Sequence, residues 1–156
     1  MRIVLVHPRG FNWFPGQRDI TDVANRMVPQ GILSIAAYLL RQGHDVFIYD
    51  CLGPGVSFNL DTQVQAILKY EPQMVGFSAT TSSFLDAAEM AQEIKKCVAH
   101  VKTVCGGVHV SALQDQLLLA YPAFDFLCAG EGELTMAELA RDVAPAEITV
   151  LIWRQG

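Results

Sequence analysis

Two short apolar runs constrain this chain more than any other feature, because each is too short for a helix and each stops in residues with very small side chains. Met74-Val75-Gly76-Phe77-Ser78 leads into the Thr/Ser cluster Ala79 to Ser83, and Val101 to Cys105 leads into Gly106-Gly107-Val108-His109-Val110-Ser111. Continuous apolar runs bounded by turn signals read as strands buried on both faces. Between them, Ser83 is placed to cap a helix with the apolar stripe Leu85, Ala88, Ala91 and Ile94, and Asp86 falls in its favourable first turn. In an open parallel sheet, ligands bind outside the carboxyl ends of the strands, where glycines and small hydroxyl residues let a ligand reach the backbone.

The rest of the chain repeats the alternation. Arg2 to His7 is a β-branched run ended by Pro8. Residues 8–28 show no period and carry three aromatics, Phe11, Trp13 and Phe14. A loop of about 20 residues is usually functional or disordered. Its aromatics suit a planar ligand, a partner domain or a plug on the sheet edge. Pro29 opens a helix through Ile32, Ile35, Ala36, Leu39 and Leu40 that Gly43 ends. Asp45 to Tyr49 reads as the second strand, Asp50 to Gly55 as a turn, and Val64, Ile67 and Leu68 as a modest helix before Glu71-Pro72. A helix around Leu113 to Ala120, a strand Phe124 to Ala129, the turn Gly130 to Glu133 and a helix Leu134 to Val143 follow, with Glu133 complementing that helix's dipole. Right-handed crossovers then predict a doubly wound α/β fold, flavodoxin-like or Rossmann-like. Its mostly parallel five-stranded sheet takes the order 2-1-3-4-5, with helices on both faces. The closing run Ile148 to Trp153 offers a sixth strand.

Composition narrows the function. Of 156 residues, 51% are apolar and 17% charged, which fits one compact domain. A net charge of −5 leaves no electrostatic footprint for nucleic acid. No run is long enough to span a bilayer, and the four-residue apolar run after Arg2 is too short for a secretory signal, so a cytoplasmic location is expected. The cysteines at positions 51, 97, 105 and 128 form neither a C-x-x-C pair nor a C-x-x-x-C-x-x-C triplet, and Cys105 and Cys128 read as buried thiols.

Ser78, Thr80 and Thr81 should present hydroxyls to the crevice above the sheet, although capping alone explains Ser82 and Ser83. Gly106-Gly107 serves a close ligand approach or merely a tight turn. Valine at Gly107 is therefore expected to hinder a ligand more than the fold. His109 reads as a ligand, an acid–base group or a loop histidine bonded to backbone. Asp50, at the end of the second strand, raises dinucleotide binding, yet His7-Pro8-Arg9-Gly10 is no G-x-G-x-x-G.

Taken in order, Met74 to Thr81, Gly106 to Ala112 and Gly130-Glu131-Gly132-Glu133 resemble the N-terminal cobalamin (vitamin B12)-binding domain of B12-dependent radical S-adenosylmethionine (SAM) enzymes, and Val28 to Leu39 resembles the same family's first helix. The resemblance implies that cobalamin's dimethylbenzimidazole tail slides between sheet and helices past Ser78, Thr80 and Gly107, while the corrin rests on the strand-end loops. The implied cofactor-binding residues are His7, Arg9, Ser78, Thr80, Thr81, Gly106, Gly107, Val108, His109, Gly130 and Glu131, with no catalytic residue and no metal ligand. The D-x-H-x-x-G motif of the B12 domains that ligate cobalt through histidine does not occur here. The cofactor is then expected base-off, without a lower histidine, shielded by residues such as Arg9, Phe11 or Trp13. Residues 1–143 would form the cobalamin domain and 144–156 a strand or linker toward a C-terminal radical SAM domain. That domain would hold the iron–sulfur (4Fe–4S) cluster and S-adenosylmethionine, and radical methyl transfer is the implied reaction. A flavin- or nucleotide-binding flavodoxin-like domain, and a docking module without a small ligand, are the competing readings.

Overall fold

The computed structural model describes residues 1–11, 18, 20 and 26–154, so Trp13 and Phe14 of the aromatic loop lie outside the described residues. The strands are β1 (Arg2–His7), β2 (Asp45–Asp50), β3 (Met74–Ser78), β4 (Lys102–Gly106), β5 (Phe126–Cys128) and β6 (Leu151–Trp153). They form one sheet in the order β2-β1-β3-β4-β5-β6. The first five are parallel and occupy the expected order, while β6 pairs antiparallel with β5, Cys128 opposite Leu151. No crossover helix precedes β6. After a single turn of 3-10 helix at Pro145–Glu147 the chain enters from the carboxyl end of β5, where the Ala129 N–H donates to Val150 O.

Among the described residues six α-helices flank the sheet: α1 (Gln30–Arg41), α2 (Leu60–Leu68), α3 (Phe84–Cys97), α4 (Val108–Leu113), α5 (Asp115–Ala120) and α6 (Gly132–Ala140). Alternation along each strand assigns the layers. Val4, Val6, Val75, Phe77, Cys105 and Leu127 pack with Ile67, Phe84, Ala91, Ile94 and Leu117 of α2, α3 and α5. Ile3, Leu5, Met74, Val104 and Cys128 point the other way, onto Ile32, Ala36 and Leu39 of α1 and Met136, Ala137 and Ala140 of α6.

Three local readings change. Ser83 stands at the N-cap of α3 but makes no capping bond. Its hydroxyl accepts from the Thr80 N–H at 3.0 Å, closing the preceding turn instead. Ala88, Ala91 and Ile94 of the expected α3 stripe are buried, but its first member is not: Leu85 is 48% exposed and Phe84, 2% exposed, takes its place. The aromatic ring at 84 fills the space against Tyr121 and Phe124 that the periodicity had allotted to leucine. The segment Leu113 to Ala120 breaks at Gln114, whose φ of 50° separates α4 from α5.

A polar network fixes β4 against the entry to β5. Asp125 Oδ2 accepts from Lys95 Nζ (2.6 Å), the Thr103 N–H (2.8 Å) and the Thr103 hydroxyl (3.1 Å), and Thr103 is fully buried. Asp125→Ala would leave the buried Thr103 N–H without its acceptor and Lys95 with backbone carbonyls alone, and is expected to destabilise the fold by about 2–3 kcal/mol in denaturant unfolding. An unchanged midpoint would show that water replaces the carboxylate without cost.

Candidate functional site

A cavity of about 300 Å³ opens at the carboxyl ends of the parallel strands, between the sheet and the helix pair α1 and α6. Its floor is Leu5 of β1, Gly76 and Ser78 of β3, Val104 and Gly106 of β4, and Cys128 of β5. Gly31, Ile32 and Ile35 wall it from α1, and Gly132, Glu133 and Met136 from α6, while Gly107, Val108, Gly130 and Glu131 line the loops at its mouth.

Glycine makes this space. A Cβ at Gly76, in the middle of a buried strand, would lie 3.0 Å from Leu5 Cδ2 and from Met136 Cε, so its absence lets the floor sink beneath the helices. At Gly132 a Cβ would meet Ile35 Cδ1 at 2.7 Å, which sets how closely α6 approaches α1. Across the outer side the Ser34 hydroxyl donates to Glu133 Oε1 at 2.5 Å, joining the two helices. Gly31 faces open space, with nothing within 4 Å of a Cβ.

The mouth is held by hydrogen bonds between loops. The Ala79 N–H donates to Gly106 O at 2.9 Å, one step beyond the last β3–β4 pair, Ser78 with Gly106. Gly107 then turns away with φ 105°, where a Cβ would stand 2.5 Å from Ala79 O. The Ser111 hydroxyl donates to Gly107 O (3.1 Å) and accepts from the Gly130 N–H (3.0 Å), tying the loops after β4 and β5 together. Cys128 Sγ donates to Glu131 O at 3.7 Å, and burial raises that thiol's pKa.

Six of the residues singled out in the sequence line this cavity: Ser78, Gly106, Gly107, Val108, Gly130 and Glu131. The other five lie off it. His7 Nδ1 is 3.1 Å from Asp50 Oδ1, the same oxygen that accepts from the Leu52 N–H. Asp50, the residue that suggested a ribose, is thus engaged by its own turn and by His7. The Arg9 guanidinium sits 4.3 Å over the Phe58 ring. Thr80 Oγ1 lies near the hydroxyls of Ser82 (3.1 Å) and Ser83 (3.2 Å), so it serves its own turn. Thr81 Oγ1 is 3.3 Å from His109 Nδ1, and the His109 ring packs on Phe84 with centroids 4.5 Å apart. The start of the long loop is fixed too, since the Gly10 N–H donates to half-buried Asp86 at 2.8 Å, and desolvation raises the pKa of that carboxyl. Sequence reasoning missed the helix side of the site, Gly31, Ile35 and Met136 above all. A glycine inside the strand at 76 was the one available signal.

Comparison with known proteins names the family that this geometry fits. Residues 18–140 match the model of the B12 binding domain, and the chain belongs to that family. It is 34% identical over 139 residues to an uncharacterized methyltransferase of Pyrococcus horikoshii, an alignment covering 89% of this chain and 28% of the relative. It is 30% identical over 145 residues to the anaerobic magnesium-protoporphyrin IX monomethyl ester cyclase of Rubrivivax gelatinosus (92% of this chain, 24% of the relative). The cyclase of the same name from Synechocystis is 31% identical over 117 residues (73% and 23%). The chain therefore spans about a quarter of the length of these relatives. The residues present fit a cobalamin tail: the slot is deep, apolar and floored by a glycine that a side chain would fill.

Two substitutions separate fold from site. A Cβ at Gly31 meets no neighbour within 4 Å and Gly31→Leu gains helix propensity, a few tenths to about 1 kcal/mol, so the thermal midpoint should hold or rise while cobalamin affinity falls more than about tenfold as the side chain enters the slot. Gly107→Val, by contrast, should lower the midpoint as well, because its Cβ would strike the Ala79 backbone and φ there is positive. The expectation that valine at 107 hinders a ligand more than the fold stands to be measured, with this contact adding a cost to the fold itself. Full cobalamin affinity in Gly31→Leu would show that the slot is not where the tail goes.

Proposed function

We propose that this chain is the cobalamin-binding module of a radical SAM enzyme, holding the corrin at the carboxyl edge of the sheet for radical methyl transfer in the full-length protein. The observation that carries the reading is the slot between the sheet and the α1–α6 pair, because a bulky planar tail needs depth, apolar walls and an opening at the strand ends together. The family membership and the methyltransferase among the relatives support it. Ile32, Ile35, Met136 and Val104 would grip the tail, and Ser78, on the same face of β3 as Gly76, would offer it a hydroxyl. Gly106, Gly107, Val108, Gly130 and Glu131 would border its entry. His7, Arg9, Thr80, Thr81 and His109, on the strand-end loops, would lie nearer the corrin. When bound, cobalamin supplies a cobalt centre able to carry a methyl group; the protein binds, orients and shields it.

Residues 1–143 form the binding domain in this reading, and 144–156 lead toward a radical SAM domain of the same polypeptide that holds the iron–sulfur cluster and S-adenosylmethionine. This chain loaded with cobalamin should therefore show no methyl transfer when given S-adenosylmethionine and reductant.

The same reading makes the cofactor base-off with no histidine beneath cobalt. His7 ends β1, Pro8 holds it extended, and its ring is docked on Asp50 toward the sheet edge. A carboxylate on Nδ1 is nevertheless the arrangement that orients metal-bound histidines, which makes His7 the residue to test. Hydroxocobalamin should change its absorbance on binding, whereas FMN and NAD should not. The Co(II) form should give an electron paramagnetic resonance spectrum without three-line nitrogen splitting, the same in His7→Ala. Nitrogen splitting that His7→Ala abolishes would make His7 the lower ligand.

A further inference from the structure

We propose that the slot selects among corrinoids by their tails, accepting an apolar benzimidazole-type base and discriminating against a purine such as adenine. This rests on the cobalamin reading above and extends it to the class of corrinoid held. The argument is an inventory of polar groups. Between the sheet and the helices the walls are Leu5, Ile32, Ile35, Val104 and Met136, none of which donates or accepts a hydrogen bond of ordinary strength. At the border, Cys128 Sγ is engaged with Glu131 O, Glu133 Oε1 with the Ser34 hydroxyl, and the Gly130 N–H with Ser111, while the Glu131 carboxylate belongs to the loop at the mouth and not to the floor or the walls. The N–H and C=O groups of β3 between Met74 and Ser78 belong to the sheet ladder. Ser78 is left as the polar side chain that the floor presents.

The two bases differ in how much hydrogen bonding they must leave behind in water. Dimethylbenzimidazole off cobalt carries one free ring nitrogen and two methyl groups, a demand that one hydroxyl meets. Adenine adds an exocyclic amine and further ring nitrogens, and each would be buried against hydrocarbon without a partner. Shape alone discriminates weakly between bicyclic bases of similar size, so unmet hydrogen bonds supply the selectivity.

The test titrates the 156-residue chain, followed by absorbance and calorimetry, with three corrinoids: cobalamin, its adenine-tailed analogue and a tailless cobinamide. The adenine-tailed form should bind about 10- to 100-fold more weakly than cobalamin and little better than the tailless one. Equal affinity for the two tailed corrinoids overturns the proposal while leaving the cobalamin reading standing. Failure of all three to bind overturns the cobalamin reading, and the selectivity with it. Met136→Gln brings an amide to the slot on a side chain of similar length and should narrow the ratio at least threefold by strengthening adenine-tail binding. Ile35→Gln makes the same change at a half-buried position, where folding is less exposed to the substitution. A folded Ile35→Gln protein with an unchanged ratio would overturn the assignment of selectivity to these walls.

Discussion

The carboxyl edge of the sheet depends on the approach of two backbones, at Ala79 and Gly107. The hydrogen bond from Ala79 to Gly106 O extends the β3–β4 ladder one residue past the strands, and Gly107 then leaves in a left-handed conformation with only hydrogen between its Cα and Ala79 O. Everything at the mouth follows from that contact. It places the Gly107 carbonyl under the Ser111 hydroxyl, and Ser111 in turn carries the Gly130 loop. On the other side, the turn after Ala79 closes through Thr80 and Ser83 and receives the loop after β1, where a Cβ at Gly10 (φ 68°) would lie 2.7 Å from Ser82 O. The loops after β1, β3 and β4 are therefore held by two contacts that only glycine allows.

The two faces of the sheet divide stability from binding. The face under α2, α3 and α5 is filled by interlocking aromatics, Phe77 and Phe84 each 5.9 Å from the Phe124 ring and Phe84 4.9 Å from Tyr121. The opposite face packs residues such as Ile3, Leu39, Met74 and Ala140 beneath α1 and α6. Toward the strand ends it gives way to the slot. A void of this size forgoes dispersion contacts and costs stability, which a protein tolerates where the space serves a ligand. Met136 and Ile35 border it with flexible or half-buried side chains, so its walls can yield without moving the sheet.

Much of this was readable from the chain itself. Five parallel strands and their order follow from short apolar runs alternating with helical periods, because strands buried on both faces and right-handed crossovers leave few topologies. The strand-end glycines and hydroxyls marked the end of the sheet at which the cavity opens. Of the hydroxyls expected to face the crevice, Ser78 lines it, while Thr80 and Thr81 turn to Ser82, Ser83 and His109.

Sequence alone thus determined the five parallel strands and the family, since these depend on local periodicity and on glycines and turns at fixed places, while the antiparallel run of β6 was left to the structure. Only tertiary structure decided that α1 and α6 share one face and enclose a slot, that Gly76 is its floor, and that His7 turns to Asp50. Those outcomes depend on which side chains meet across 40 to 100 positions of chain, such as His7 with Asp50 (43 apart) and Ser34 with Glu133 (99 apart). No local pattern encodes such meetings, because a side chain's direction within the fold is set by the neighbours that packing brings to it.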